Sequence, residues 1–361
     1  MFSSADHAWM SQALQLAEKG LFNTAPNPRV GCIIVRDDKI VGRGWHERAG
    51  QAHAETNALK QAGATAKDST VYVTLEPCSH HGRTPPCVDA LIQAGVANVV
   101  VAMKDPNPLV SGKGCAMLQQ AGINVQLGLL KTEAAALNVG FINRMCHQRP
   151  WVRLKVAASL DGKTALNNGE SQWITGEAAR RDGHRWRARS CAMLTGIGTV
   201  KADDPRLTVR QIETARQPLR VVVDSRLETP IDAKLLQDDH AIIFTAINHK
   251  DRAAALREQG ANVIELPGMS GEVDLTRMMS KLADLEINEV LVEAGSKLNG
   301  ALVQAGLVDE LVMYIAPQLL GDKAQGLLSQ PELTQLNQKA ELKIQDLRMI
   351  GQDIRIVAKF V

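Results

Sequence analysis

At 361 residues the chain is long for one hydrophobic core and sufficient for two domains. Hydrophobic content of 45%, charged content of 22% and a formal net charge of +2 are ordinary for a folded chain, and no run of five like charges offers a footprint for nucleic acid. No window approaches a membrane span and the first residues lack the regions of a signal peptide, so a cytoplasmic chain with no membrane partner is expected. Six cysteines with one close pair then suggest metal or catalytic use, not a disulfide framework.

Residues 8–20 read as a capped amphipathic helix, and RVGCIIVRDDKIVGRGWHE (29–47) as a hairpin turning at Asp37 and Asp38. A helix is expected from near His53 to about Ala62, with Ala54, Ala58 and Leu59 on its apolar face. STVYVTLEP (69–77) reads as a buried strand, CVDALIQAG (87–95) as a helix and ANVVVAM (97–103) as a strand. GCAMLQQAG and INVQLGLL repeat the helix-then-strand pattern. Alternating elements of this length imply a three-layer α/β sandwich.

Periodicity breaks at His147-Gln148-Arg149-Pro150, which places a boundary between domains 1–147 and 148–361. Beyond it, WVRLKVAASLDGKTA is strand-like and 176–190 form a basic helical stretch. CAMLTGIG, LRVVVDS, HAIIFTA, NVIELPG and INEVLVEAG are strand candidates, the last leading into a helix at SKLNGALVQAG. DELVMYIAP and a hairpin within ELKIQDLRMIGQDIRIVAKFV close the chain.

One constellation carries chemistry. His53, Cys78 and Cys87 offer one nitrogen and two sulfurs, which leaves a fourth tetrahedral position for water, the catalytic arrangement of zinc. Glu55 follows His53 by two residues, close enough to exchange a proton with that water without ligating the metal. Helix N-termini would favour thiolates at both cysteines. Two blander readings stand beside this one: the residues are incidental, or His80 or His81 closes a purely structural site.

The pattern H-x-E followed by P-C…C resembles the zinc-dependent cytidine deaminase superfamily, with eight residues between the cysteines where that superfamily mostly has two. The insert SHHGRTP adds Arg83 and histidines, which suit a phosphorylated substrate. TAPNPRVGC, GRGWHERAGQAHAE, PCSHHGRTPPC and DPNPLVSGKG are similar to the deaminase half of the bifunctional riboflavin-biosynthesis deaminase/reductase family. The resemblance implies zinc on His53, Cys78 and Cys87, with Glu55 as proton shuttle. It implies hydrolytic deamination of 2,5-diamino-6-ribosylamino-4-pyrimidinone 5′-phosphate, with Asn27, His46, His80, Arg83, Asp105 and Asn107 as substrate contacts. Asn and Asp before proline also favour turns on their own account.

The second half has no G-x-G-x-x-G after a strand. VLVEAGSKLNGAL offers a strand ending at Glu293 and a helix whose free N–H groups could cradle a phosphate, or an ordinary strand–helix turn. KVAASLDGKTA, GESQWITG, GTVKADDPRLTVR, VVVDSRL and VEAG resemble the reductase half of the same family, whose fold is dihydrofolate reductase-like. That resemblance implies NADPH and hydride transfer to the ribose C1′ of the deaminated intermediate. Ala157, Trp173, Thr199, Asp203, Ser225 and the turn Gly295, Ser296, Lys297, Leu298, Asn299, Gly300 and Ala301 would line the cofactor groove. Ser171, Arg187, Leu207, Arg210 and Glu293 would face the substrate, the two arginines gripping its phosphate bidentately. Lys155 and Asp203 are candidates for the acid that ring opening requires.

A homo-oligomer is implied by the family. Competing readings are a deaminase of nucleosides or RNA, disfavoured by near-neutral charge and few aromatics, and a zinc-stapled interaction protein.

Overall fold

The computed structural model describes residues 1–79, 86–238 and 240–361. The chain divides into two compact units, 1–148 and 149–361, where the expected boundary lay after residue 147.

In the first unit, α1 (Ser4–Glu18) starts earlier than its apolar periodicity suggests because a capping box fixes it. Ser3 Oγ accepts the Asp6 N–H and the Asp6 carboxylate accepts the Ser3 N–H. Strands β1 (Gly31–Arg36) and β2 (Lys39–Trp45) form the expected hairpin, with Asp37 and Asp38 at φ of 50° and 56°. Positive φ at both turn residues matches the twist of the flanking strands. There follow α2 (Ala54–Ala62), β3 (Thr70–Val73), α3 (Cys87–Gln93), β4 (Asn98–Val101), α4 (Lys113–Gln120), β5 (Asn124–Leu127), α5 (Lys131–Leu137) and α6 (Val139–His147).

The sheet order is β2-β1-β3-β4-β5, antiparallel across β2, β1 and β3 and parallel from β3 to β5. Alternation along β1 sends Cys32 and Ile34 into a core shared with α2, α3 and α4, and Ile33 and Val35 into a second core shared with α1 and α5. This is the three-layer sandwich expected. Strand β3 is shorter than expected: after Val73 the chain leaves the ladder and carries Glu76, Pro77 and Cys78 beyond the sheet's end. Helix α2 lies directly on β2 because Gly42 and Gly44 have no side chain. A Cβ would stand 2.3 Å from the Ala58 carbonyl oxygen at the first and 2.1 Å from that of Ala54 at the second.

The second unit contains β6 (Trp151–Ser159), β7 (Lys163–Ala165), α7 (Glu177–Arg189), β8 (Ala192–Gly196), α8 (Ile197–Asp203), β9 (Leu219–Val223), β10 (Ala241–Thr245), α9 (Lys250–Glu258) and β11 (Ala261–Glu265). It continues with α10 (Leu275–Asp284), β12 (Glu289–Val292), α11 (Ser296–Gln304), β13 (Glu310–Ala316), β14 (Gln325–Gly326), β15 (Leu342–Ile350) and β16 (Asp353–Phe360). The main sheet runs β11-β10-β9-β8-β12-β6-β13-β16-β15, parallel as far as β13 and antiparallel at its last two pairings. Helices α8, α9 and α10 were not among the sequence expectations. In α9 only Ala253 and Leu256 are buried, so its stripe is faint, whereas α10 buries Met278, Met279, Leu282 and Ala283 behind an Asp274 cap.

At its core β6 carries a charge: Arg153 is fully buried between Glu289 and Glu310, and Arg189 joins Glu289 at 3.1 Å. The parallel strands end on a common edge, where open α/β sheets place their ligands.

Candidate functional site

In the first unit His53 occupies the N-cap of α2, Glu55 its first turn, and Cys87 the first position of α3, while Cys78 sits in the loop beyond β3. His53 Nδ1 is 3.4 Å from Cys78 Sγ and 3.3 Å from Cys87 Sγ, and the three ligand atoms lie within 4.8 Å of one another. Tetrahedral zinc, with bonds of ~2.3 Å to sulfur and ~2.0 Å to nitrogen, holds such ligands roughly 3.5 Å apart, so these donors fit it closely. Among the described residues this is the one such group of His, Cys, Asp or Glu side chains.

The thiol pair concentrates its charge on Cys78. A hydrogen bond from the Cys87 thiol pushes Cys78 down to about 4 against the effect of burial, helped by His53 and by the Cys87 N–H at 3.2 Å. Cys87 is driven up by the Cys78 thiolate and by burial. Cys87 does begin a helix, as expected, whereas Cys78 is on a loop; without a cation two adjacent sulfurs share a proton, and a bound metal would take its place. His53 is raised by its bond to Cys78, with burial opposing. Glu55 is 3% exposed; burial and the Cys78 charge push it up to about 7, while His53 and a hydrogen bond with Cys87 pull the other way.

His46 packs edge-on against His53, with ring centroids 5.5 Å apart. Its Nδ1 faces the Ala52 carbonyl at 3.2 Å and its Nε2 the Asn27 amide nitrogen at 3.1 Å. Those partners assign a neutral ring that donates from Nδ1 and accepts at Nε2. Burial lowers its pKa in the same sense. Asp105 and Asn107 lie on a different loop, where Asp105 Oδ1 accepts the Asn107 N–H at 2.8 Å and Asn107 Oδ1 accepts the Leu109 N–H at 3.1 Å.

Sequence reasoning passed over Glu76. Its buried carboxylate accepts the N–H groups of Asp105 at 3.1 Å, Gly112 at 2.9 Å and Cys115 at 3.0 Å, tying that loop to the segment bearing Cys78. The available signal was a lone acid at the end of an otherwise apolar strand. His80 and Arg83 lie outside the described residues.

In the second unit a groove of about 1350 Å³ opens at the carboxyl ends of β6, β12, β8 and β9. Ala157, Ser171, Trp173, Arg187, Thr199, Asp203, Leu207, Arg210, Ser225, Glu293, residues 295–299 and Ala301 all line it. Gly300 does not: it faces Ser329, whose carbonyl oxygen would stand 2.0 Å from a Cβ there. Trp173 is 69% exposed, with the Arg180 guanidinium 4.7 Å from its ring centre. Helix α11 starts at Gly295 without a side-chain cap, and the buried Asn299 Oδ1 beside that start has no hydrogen-bond partner. An uncapped helix N-terminus in a large groove fits a phosphate, and the unmatched Asn299 acceptor fits a hydroxyl or amide donor of a dinucleotide, not its phosphates.

At the β6 end, Glu293 receives Arg187 Nε at 2.9 Å and Nη2 at 2.8 Å, with Lys155 Nζ at 3.9 Å. Arg187 also donates to the Thr208 carbonyl at 3.1 Å, so its fork is already engaged, which the sequence did not foresee. Arg210 donates from Nη1 to Thr208 Oγ1 at 3.0 Å, and its N–H reaches His184 Nδ1 at 3.3 Å. Burial works against the Glu293 carboxylate, but Arg187 and Lys155 outweigh it and hold the group well below the usual carboxylate range. Burial and the charges of Arg187 and Arg210 push His184 down to about 4. Three cations thus face one carboxylate and one neutral imidazole.

Residues 3–103 match the family model for the cytidine and deoxycytidylate deaminase zinc-binding region, and residues 150–356 that for the RibD C-terminal domain. The chain is 49% identical to the riboflavin biosynthesis protein RibD of Escherichia coli (strain K12), covering 97% of this chain and 98% of that one. It is 46% identical to RibD of Haemophilus influenzae, over 98% and 97%. A solved structure of Acinetobacter baumannii RibD superposes with a TM-score of 0.92 at 45% identity, over 99% of both chains. A Thermotoga maritima protein, described as a diaminohydroxyphosphoribosylaminopyrimidine deaminase/5-amino-6-(5-phosphoribosylamino)uracil reductase, superposes with a TM-score of 0.87 at 31% identity, over 99% of both.

Proposed function

The chain belongs to the RibD family of bifunctional riboflavin-biosynthesis deaminase/reductases, and from that premise we propose how its residues divide the two reactions. The first acts on 2,5-diamino-6-ribosylamino-4-pyrimidinone 5′-phosphate and the second on 5-amino-6-(5-phosphoribosylamino)uracil, the reductase substrate in the Thermotoga relative's description.

His53, Cys78 and Cys87 hold one zinc per chain, which when bound supplies a water acidic enough to ionise near neutral pH. Glu55, buried beside the ligands and outside their set, takes a proton from the attacking water and returns it to the departing amine. Water oxygen bonds to the amino-bearing ring carbon, the C–N bond breaks, ammonia leaves and a ring carbonyl remains. Asn27 and His46 orient the pyrimidine from the His53 side, and Asp105 and Asn107 offer further polar contacts from their own loop.

The groove of the second unit would hold NADPH, with the N–H groups at the start of α11 available to its pyrophosphate and β6 bordering its nicotinamide; when bound it would supply a hydride for C1′ of the opened ribose. Trp173 gives that ring a flat apolar wall. Arg210 keeps N–H groups available for the substrate phosphate. Arg187, already clasped to Glu293, instead keeps that carboxylate ionised. Lys155 gives the proton that accompanies hydride addition.

The observation that carries this reading is the convergence of His53, Cys78 and Cys87 with Glu55 alongside. Purified protein should hold about one zinc per chain and release ammonia from the phosphorylated diaminopyrimidine but not from cytidine or adenosine. NADPH absorbance should then fall only after deamination. Failure of the wild-type protein to reduce supplied deaminated intermediate would end the assignment.

We also assign a homo-oligomer. Leu311, Met313 and Ile315 of β13 pair across to Ala358, Ile356 and Ile354 of β16, and these to Ile344, Leu347 and Met349 of β15. Leu347 and Met349 are 60% and 59% exposed on this apolar sheet face, more than a monomer ordinarily leaves in water. Sedimentation should show an assembly that Leu347→Glu breaks; a monomeric wild type would refute it.

A further inference from the structure

Helix α4 begins at Gly112, whose φ of 81° suits a residue without a side chain, and it has no side-chain cap of its own. The first N–H groups of a helix need acceptors from outside it. Here they come from the buried Glu76, 36 and 39 residues earlier in the chain. Its carboxylate takes the Gly112 N–H at 2.9 Å and the Cys115 N–H at 3.0 Å. A small residue makes the approach possible: at Gly114 a Cβ would stand 2.1 Å from the Pro77 carbonyl oxygen.

The same carboxylate accepts the Asp105 N–H at 3.1 Å, so one side chain holds both ends of the loop 105–112. Within that loop Asp105 Oδ1 accepts the Asn107 N–H, and the Asn107 carbonyl accepts the N–H groups of Val110 and Ser111, both at 3.0 Å. A carboxylate suits the task. It offers about four lone-pair sites, and an ionised acceptor bonds more strongly than a neutral one.

Cys78 is placed independently of that carboxylate. Its carbonyl accepts the Val88 N–H at 3.3 Å and its Sγ the Cys87 N–H at 3.2 Å, both from α3. The Glu76 main chain is held in turn by its N–H donating to the Met103 carbonyl at 2.9 Å. Loss of the carboxylate would thus release the loop and leave the sulfur where it is.

Resting on the assignment of Asp105 and Asn107 as substrate contacts, we infer that Glu76 is a positioning residue for the deamination. Its carboxylate fixes the loop that carries both contacts relative to Cys78, and so sets how the substrate is held over the metal ligands. Contacts of this kind act alike on bound substrate and transition state, so their displacement raises KM and spares kcat.

Glu76→Gln keeps the side chain's shape but sets an amide N–H against one of the backbone donors. In the zinc-loaded full chain it should raise KM for the phosphorylated diaminopyrimidine roughly tenfold, the worth of about one hydrogen-bonded contact. Zinc content and kcat should stay within about twofold of wild type. In an Asp105→Ala/Asn107→Ala background the same change should add less than about twofold, because the contacts it positions are already gone. Gly114→Ala, which forces α4 off the Pro77 carbonyl with the carboxylate still present, should raise KM in the same way. Amide exchange at Asp105, Gly112 and Cys115 should be slow in wild type and faster in Glu76→Gln. Wild-type KM in Glu76→Gln, an undiminished effect in the loop background, loss of zinc, or fast exchange at those amides in wild type would each overturn the inference, the last without need of a folded variant. If the loop variant itself keeps the wild-type KM, the substrate-contact reading fails first and this inference goes with it.

Discussion

Glu55 in the first unit and Glu293 in the second are both drawn largely out of water, and the two are treated in opposite ways. Glu55 has no cationic side chain of its own to answer it beyond His53, and burial beside the Cys78 thiolate drives it up to about 7. Glu293 is also withdrawn from water, yet Arg187 and Lys155 press it far below its usual range in spite of burial. The same carboxyl group is set up to exchange a proton in one place and to remain a fixed negative charge in the other. Neighbours decide that, not residue type.

The sharpest way to break the contrast is to remove ionisation while keeping shape. Glu55→Gln should lower ammonia release by roughly 10²–10⁴-fold, the worth of a positioned acid–base group, with zinc content and reduction of supplied intermediate unchanged. Ammonia assays and zinc analysis on one preparation check this; a variant that still deaminates at a comparable rate removes Glu55 from the chemistry. Glu293→Gln should act on structure as well as rate. It leaves Lys155 and Arg187 facing each other without their counter-charge, at a cost of about 3 kcal/mol to the second unit. Denaturant melts should show that loss together with slower NADPH oxidation and an unaltered first reaction. Wild-type melting would mean that Glu293 is not the counter-charge described.

A smaller effect should come through the backbone. Gly44→Ala places a methyl group 2.1 Å from the Ala54 carbonyl, at the turn of α2 that bears His53 and Glu55. Overpacking of this kind costs about 1–3 kcal/mol and lifts the helix from β2. Faster zinc loss to a chelator, with the reductase rate held, is the expected signature. Equal rates of zinc loss would show that the helix position tolerates the shift.

The two sites also differ in how far the sequence disclosed them. The proposed zinc donors come from two short segments, and the distances between donor atoms agree with a chemistry whose ligand types are few. Glu76 escaped notice because its partners are backbone N–H groups of a loop distant in sequence, which leave no side-chain signature. The second site is assembled from the ends of four parallel strands, none carrying a glycine fingerprint, so residue spacing alone could not locate it. Resemblance supplied Arg187 and Glu293, but their bidentate clasp is a property of the fold. Among the elements, α10 was missed despite a clear apolar stripe, and β3 was drawn too long because Leu75 continues its hydrophobic run after the ladder has ended.

The smallest effect concerns acid. In the second unit His184 titrates at about 4 instead of the usual 6.5, because burial and two arginines oppose its charge. Between those values the unfolded chain binds a proton that the folded unit refuses, so stability falls as pH drops from 6.5 towards 4. Glu293, depressed from 4.5, adds a loss of the same sign below that value. After discounting for solvent screening, the histidine's share is roughly 2 kcal/mol. Chemical denaturation at pH 7, 5.5 and 4.5 should show the decline, and His184→Asn should flatten its upper part while its amide oxygen takes the place of Nδ1 as acceptor of the Arg210 N–H. If the variant keeps the wild-type slope between pH 7 and 5.5, another group carries it. Protonating His184 would set a fourth positive charge against Glu293 alone, so the cluster proposed to receive an anionic substrate would be strained by like charges once that imidazole is protonated.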